Sequence, residues 1–266
     1  MKLIDTHAHL DFFQKEGKLA EVLANAKENN VERIIACSTT PSDWILYSEM
    51  SAQNQNIFWQ AGIHPTEIAE NDDIALDALS SLFIENKKHS APVAIGEIGL
   101  DFYRLPNDEE ESEKIKKRQR EIFGRQLRIA ADLNLKVCVH ARESLDACVE
   151  EIEKSRLNFA NVVFHCYSGS AKQLLELNER GARASFTGII TYKNADEMRK
   201  AMLAQGLETV MLETDCPYLA PVPYRGQVCE PAMLSKTCEA AAEIFGVDKE
   251  YLADASTNSA ESFFAL

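Results

Sequence analysis

The segment Asp5-Thr6-His7-Ala8-His9 closes the first apolar run with two histidines two positions apart. Side chains alternate along an extended strand, so His7 and His9 project from one face. Two neutral imidazoles on one face can grip a single metal ion. A His-x-His pair alone is more often a surface or core feature than a ligand pair, so its meaning depends on what else converges on it. The candidates are His64 in Gly62-Ile63-His64-Pro65, Glu97 in Ile95-Gly96-Glu97-Ile98-Gly99-Leu100-Asp101, His140, His165, and Asp215 in Leu212-Glu213-Thr214-Asp215.

The elements that must position these groups recur eight times. Short β-rich runs at 2–7, 31–37, 57–63, 92–97, 135–140, 161–165, 182–187 and 209–212 alternate with amphipathic stretches near 17–29, 41–54, 72–87, 110–133, 143–155, 170–180, 194–204 and 230–245. Runs such as 31–37 and 135–140 are almost continuously apolar, as strands buried on both faces are. Repeated βα units imply right-handed crossovers and a parallel sheet. Eight of them in 266 residues predict a TIM-type (β/α)8 barrel, one domain spanning 1–266, over an open doubly wound sheet. No Gly-x-Gly-x-x-Gly follows the first run, which also disfavours a dinucleotide-binding sheet. The tail, 247–266, reads as one or two short closing helices anchored by Phe263 and Phe264.

Five of the six histidines fall at carboxyl ends of these runs; His89 lies late in a helix. In a barrel those ends surround one mouth, where active sites are built. The pattern therefore predicts a metal site. A catalytic ion usually keeps about three protein ligands and an open position, and the donors here exceed that, so two divalent ions are expected. His7, His9 and Asp215 are assigned to one, His140 and His165 to the other, with Glu97 bridging. Two ions about 3.5–4 Å apart can activate a water and clamp the leaving oxygen of a phosphate ester. Asp215 has a second role open to it, taking the proton of the attacking water. Asp5 and Glu213, one pleat deeper, are read as orienting ligands or backbone. His64 is not needed for either ion and is placed to meet a phosphoryl oxygen or the leaving group. Imidazoles favour Zn or Mn, whereas phosphoryl transfer often uses Mg.

Charge and cysteines limit the setting. With 28 basic and 42 acidic residues, net −14, the surface has the wrong sign for generic nucleic-acid binding. A polyanionic substrate must be held by a local site. The basic cluster at 114–120 follows the acidic run 108–111 and reads as a solvated helix face with i,i+4 pairs. No stretch approaches the ~20 apolar residues of a membrane span, and the N-terminus lacks a signal-peptide pattern, so a soluble cytoplasmic protein is expected, with no membrane association and no obligate protein partner. The seven cysteines show no Cys-x-x-Cys spacing, and Cys138 is read as a small buried hydrophobe.

These segments are similar to those of the TatD family of metal-dependent hydrolases, within the amidohydrolase-like barrels. The likeness is carried by the stretches 5–10, 62–65, 96–103, 140–143, 164–170 and 213–221, in the family's order, over nearly the whole chain from residue 4 to about 231. The resemblance implies a TIM-type barrel, a divalent-metal site and hydrolysis of DNA phosphodiesters, since family members are described as deoxyribonucleases, often exonucleases. It implies the same metal ligands and marks His64, Arg142, Tyr218 and Arg225 as neighbours of the substrate. Many amidohydrolase barrels bridge their metals with a carboxylated lysine; here the fourth run ends in Glu97, and Lys136 lies at the wrong end of the fifth. That favours the TatD branch. One departure stands out. After Pro223-Tyr224-Arg225-Gly226 the family usually carries two basic residues and an asparagine before Glu-Pro, whereas this chain has Gln227-Val228-Cys229 before Glu230-Pro231. Losing two positive charges removes candidate phosphate contacts. DNA ends or single-stranded DNA, gripped by the metals with Arg142 and Arg225, become the expected substrate. Tyr103, Tyr167, Tyr218 and Tyr224 are candidate stacking platforms for a base. The alternative is a same-fold metal hydrolase acting on an amide, lactone or small phosphoester. A non-catalytic scaffold barrel would lack ligands, and none is missing. Alkylation under denaturing, non-reducing conditions is expected to label all seven cysteines; a shortfall would reveal a disulfide.

Overall fold

The computed structural model describes residues 2–69, 72–84 and 90–266. Its strands are β1 (Leu3–Ala8), β2 (Val31–Cys37), β3 (Ile57–Ala61), β4 (Ala94–Asp101), β5 (Val137–Arg142), β6 (Val162–Phe164), β7 (Arg183–Phe186) and β8 (Met211–Leu212). They pair in parallel and in chain order, as results when each crossover adds the next strand at the same edge. The ring closes at the mouth. Thr6 Oγ1 donates to the Leu212 carbonyl at 3.2 Å, Asp215 N to His7 O at 2.9 Å and His9 N to Cys216 O at 2.8 Å. The expected (β/α)8 barrel is therefore formed, with β8 reaching β1 largely through the segment that follows it.

The helices are α1 (Asp11–Lys15), α2 (Leu19–Glu28), α3 (Asp43–Gln53), α4 (Asp72–Ile84), α5 (Glu109–Leu133), α6 (Leu145–Ser155), α7 (Ala171–Glu179), α8 (Asp196–Gln205), α9 (Leu234–Phe245) and α10 (Lys249–Phe264). In α5, Asp108 caps the N-terminus by accepting from Glu111 N, and Asn134 ends the helix in the left-handed conformation. Ile122, Phe123, Leu127 and Ala130 form its buried face at helical spacing. Two glutamines seven residues apart extend that face to the mouth. Gln126 accepts from Ile63 N (2.8 Å) and donates to Ile63 O (3.2 Å), and Gln119 does the same with Asp101 N (3.0 Å) and O (3.3 Å). One long helix thus pins the backbone beside His64 and at the end of β4.

Six strands contribute Ile4, Ile35, Ala94, Cys138, Val163 and Met211 to a cluster separate from the main core, joined by Phe263 and Phe264 of α10. Residues from strands on opposite sides of a ring meet only inside it, so this is the apolar floor of the barrel. At Gly99, φ is +147° and a Cβ would strike the His140 carbonyl; only glycine lets β4 lie so close to the strand that carries His140.

Several boundaries differ from expectation. β4 continues four residues past Glu97 because its outer half pairs with β5 from Ile98↔Val139 to Asp101↔Arg142, beyond an irregularity in register. Glu97 and His140 are therefore inside their strands, deeper in the mouth than strand ends would be. The first helix candidate, 17–29, is α2, and α1 is a further short helix ahead of it that the pattern did not mark. The tail is a single closing helix of 16 residues, α10, which carries Phe263 and Phe264. The expected i,i+4 pairs of the 114–120 cluster are instead i,i+3 pairs, Lys116 with Glu113 (2.7 Å) and Arg118 with Glu121 (3.3 Å), and bridges to flanking helices, Arg118 to Asp73 (3.0 Å) and Arg120 to Glu151 (2.8 Å). The end of the fourth helix candidate (85–87) and His89 lie outside the described residues. Removing the floor plug by Phe263→Ala, at a side chain 1% exposed, is expected to cost about 3–5 kcal/mol in denaturant unfolding; a loss below about 1 kcal/mol would contradict its place in the core.

Candidate metal centre

Glu97 is 3% exposed and sits where four strands deliver imidazoles. Its two oxygens face different partners. Oε1 lies 2.7 Å from His165 Nε2, 2.8 Å from His140 Nδ1 and 3.3 Å from His64 Nε2. Oε2 lies 3.3 Å from His7 Nε2 and 3.7 Å from His9 Nε2. Asp215 Oδ1 approaches the second group, 3.3 Å from His9 Nε2 and 3.8 Å from His7 Nε2. His7 and His165 stack with centroids 3.9 Å apart. All six predicted ligands thus come together, with a fifth histidine, His64, as close to Glu97 as His7 is.

The groups behind the rings orient them. Asp101 Oδ2 is 3.2 Å from His140 Nε2, and its Oδ1 accepts from the backbone of Tyr103 and Arg104 at 3.1 Å. His140 thus meets a carboxylate at each nitrogen, and donation from Nε2 to Asp101 would leave Nδ1, 2.8 Å from Glu97 Oε1, free for a cation. Sequence reasoning quoted Asp101 only as part of a motif; its place opposite His140 follows from the β4–β5 register. Glu213 accepts from Cys166 N (2.6 Å) and Ser185 Oγ (2.5 Å) and lies 3.6 Å from His165 Nδ1. Asp5 holds the Asp215 loop by accepting from Thr214 N (2.9 Å) and Thr214 Oγ1 (2.5 Å). His64 differs from the others. Its Nδ1 accepts from Thr66 N at 3.2 Å, so in the neutral ring Nε2 carries the proton and points an N–H at Glu97.

Electrostatics follow from this crowding. Burial alone would raise Glu97, but His165, His64 and His7 hold it well below the usual carboxylate range. Burial likewise opposes ionisation of Asp215, and its bond to His9 and the charges of His7 and His9 overcome it, so it is lowered. Burial pushes His7 and His64 down. His9 resists the same burial because Asp215 and Glu97 push it up to about 9. His140 is raised by Asp101 and Glu97, and His165 well raised by Glu97 and Glu213, each against burial. Burial drives Asp5 up to about 7 despite its bonds from Thr214. His7 Nε2 is buried without a hydrogen-bond partner, although carboxylate oxygens surround it. A lone pair so placed, with imidazole and carboxylate donors around it, fits a divalent cation.

A cavity of about 590 Å³ opens above the cluster, lined by His9, His64, Glu97, His140, His165, Asp215, Arg142 and Tyr218 among others. Lys15, Arg104 and Phe12, which sequence reasoning did not single out, also line it. Arg225 does not. It is exposed and sits 4.5 Å over the Tyr192 ring, whose hydroxyl donates to Ala220 O, so its guanidinium is held outside the cleft. Of the tyrosine platforms, Tyr218 and Tyr103 are exposed, whereas Tyr167 is buried with its hydroxyl on Ser170 O and cannot receive a base.

An eight-stranded barrel that gathers histidines around a buried carboxylate in its mouth defines a metal-dependent hydrolase. The model of the TatD related DNase family matches residues 4–265, and the chain belongs to that family. It is similar to the metal-dependent hydrolase YcfH of Escherichia coli K12, 32% identical over 100% of this chain and 97% of the relative. YabD of Bacillus subtilis 168 is 30% identical, with 99% of each chain covered. Among solved structures, the TatD homologue YjjV from Escherichia coli K12 superposes with a TM-score of 0.89 at 26% identity, covering 99% of this chain and 98% of that one.

Because the folded pKa of His9 is raised to about 9, its protonation stabilises the metal-free protein fully below its unfolded value and less as pH climbs toward 9. Bound cations must displace such protons. Titrating Zn²⁺ into metal-free protein near neutral pH is expected to release protons to buffer, with affinity rising toward pH 9. Affinity that is flat with pH and no proton release would contradict this.

Proposed function

We propose that this hydrolase cleaves DNA phosphodiester bonds at free ends or in single strands, and that His7, His9, Glu97, His140, His165 and Asp215 would hold two divalent cations. The observation that carries the reading is the division of the Glu97 oxygens, Oε1 toward His140 and His165 and Oε2 toward His7 and His9. Divalent cations held there supply Lewis acidity and a nucleophilic water of lowered pKa. Zn, Mn and Mg are all compatible with the oxygen and nitrogen donors. Asp215, kept ionised by His9 and His7, accepts the proton of the attacking water at Oδ1. His64 would serve a phosphoryl oxygen or the departing oxygen only by turning its Nε2–H away from Glu97 Oε1, 3.3 Å from it.

The cleft supports a nucleic-acid end. Arg104 and Arg142 bring positive charge to a protein of net −14, Lys15 being paired with Asp11 at 2.8 Å, and the exposed rings of Tyr218 and Phe12 offer faces for unstacked bases. Arg142 lies 4.0 Å over the exposed Tyr103 ring, which sets its guanidinium at the rim. Duplex backbone would meet the acidic surface outside this cleft. Arg225 could join the substrate only by leaving Tyr192. A second reading, hydrolysis of a small phosphoester, is favoured by the same net charge and by Gln227-Val228 where the family's basic pair usually stands.

End-labelled single- and double-stranded oligonucleotides with Mg²⁺, Mn²⁺ or Zn²⁺ test the choice. Nucleotide release abolished by EDTA is expected, with Asp215→Asn and His7→Ala each lowering kcat/KM by about 10²-fold or more and Tyr218→Ala mainly raising KM. Intact DNA together with rapid cleavage of a small phosphodiester would move the assignment to the second reading.

A further inference from the structure

A second cavity, of about 550 Å³, opens beside the cleft above the metal centre. The two share Ala141, His165 and Ser168, so a group in one lies next to a group in the other. Its volume falls within the range of small-molecule pockets, roughly 300–1,000 Å³. Its lining differs from that of the cleft. Phe102, Leu145 and the buried Phe164 give it apolar walls, while Glu143, Asp146 and Glu150 give it carboxylates. Among the described residues no lysine or arginine lines it, whereas Lys15, Arg104 and Arg142 line the cleft.

Two of the three carboxylates are engaged. Glu150 accepts from Arg120 at 3.1 Å, and Asp146 accepts from Gln173 Nε2 at 3.3 Å. Glu143 is exposed and has no hydrogen bond or ion pair among the described residues. Its backbone is nonetheless anchored. It directly follows β5, and the next residue, Ser144, donates its hydroxyl to Leu100 O at 2.6 Å. A free carboxylate at the wall of an apolar-sided cavity repels phosphate and suits a neutral ring with N–H donors along its edge.

A DNA end carries such rings. With one phosphate at the metal centre and its neighbours drawn toward Arg104 and Arg142, an unstacked base is the part left to turn into the second cavity. Guanine presents N1–H and N2–H side by side, matching the two oxygens of one carboxylate. Cytosine and adenine each offer one amino group. In thymine the single N3–H sits between two carbonyl oxygens, which a carboxylate repels.

We infer that this second cavity is a base subsite, in which Glu143 favours guanine, and more weakly the other amino-bearing bases, over thymine beside the scissile phosphate. The inference rests on the substrate class proposed above and adds a sequence preference to it.

Two readouts on the full-length protein with Mg²⁺ test it. In ¹³C-methyl spectra, deoxyguanosine is expected to shift the Leu145 methyl signals. Deoxyinosine, which lacks only the N2 amino group, is expected to shift them less at equal concentration. For oligothymidylate strands with one substituted residue beside the bond cleaved, kcat/KM is expected to fall about 5–10-fold from dG to dT, mainly through KM, with deoxyinosine between. Glu143→Ala, at an exposed side chain, is expected to bring the three strands within about twofold of one another. Equal kcat/KM for dG and dT strands in the unsubstituted protein overturns the inference, as do Leu145 signals that deoxyguanosine leaves unmoved or a preference that survives Glu143→Ala. Intact DNA, together with deoxyguanosine shifts that Glu143→Ala removes, would support the base subsite while overturning the DNA assignment.

Discussion

A carboxylate 3% exposed inside a barrel carries a heavy desolvation cost, and the rest of the mouth is arranged around meeting it at Glu97. Histidines from β1, its following residue, β5 and the segments after β3 and β6 supply the opposing charge or hydrogen bonds, and they hold its pKa well down. The same convergence imposes a constraint in return. Five imidazoles packed together repel one another when protonated, so the cluster favours cations that replace several protons at once. Metal affinity, proton inventory and stability in this protein are consequently different views of one interaction.

The supports of the cluster reach outward by short, buried links. Asp101 turns His140, Glu213 stands behind His165, and Asp5 ties Thr214 and so the loop of Asp215. Gln119 and Gln126 of α5 then fix the backbone at Asp101 and beside His64. Cys166 and Asp215, at the rim, adopt positive φ of 44° and 56°, a costly conformation for residues other than glycine that is retained where surrounding contacts over-determine it. Several polar atoms around Glu97 are tied to other strands in this way, whereas His7 Nε2, Gln60 Oε1 and His165 Nδ1 lie buried without a hydrogen-bond partner.

Much of the site was legible in the chain. His7, His9, Glu97, His140, His165 and Asp215 are read from residue type and from position within βα units, because barrel topology brings the ends of parallel strands to one rim whatever the intervening helices do. Arg225 shows the limit of that reasoning. Its neighbourhood in sequence pointed to the cleft, but packing against Tyr192 draws it away, and no local pattern encodes a contact between residues 33 positions apart. Tyr167 was equally ambiguous until its hydroxyl met Ser170 O in a buried corner. Lys15 and Arg104 escaped notice because isolated surface cations carry no signature until a cavity forms beside them.

The sequence by itself determined the alternation of strands and helices, the barrel that follows from it, and the chemical type of the groups at the mouth. These depend on periodicity and residue identity, which are local. Only the tertiary structure decided how deep Glu97 lies, which of its oxygens each histidine addresses, and which nitrogen of each ring faces inward. Those depend on strand register and on second partners such as Asp101 and Thr66, which come from distant or unmarked positions. A hydrogen bond of about 3 Å tolerates little displacement, so the chemistry of the centre is set by contacts that exist only once the ring of strands has closed.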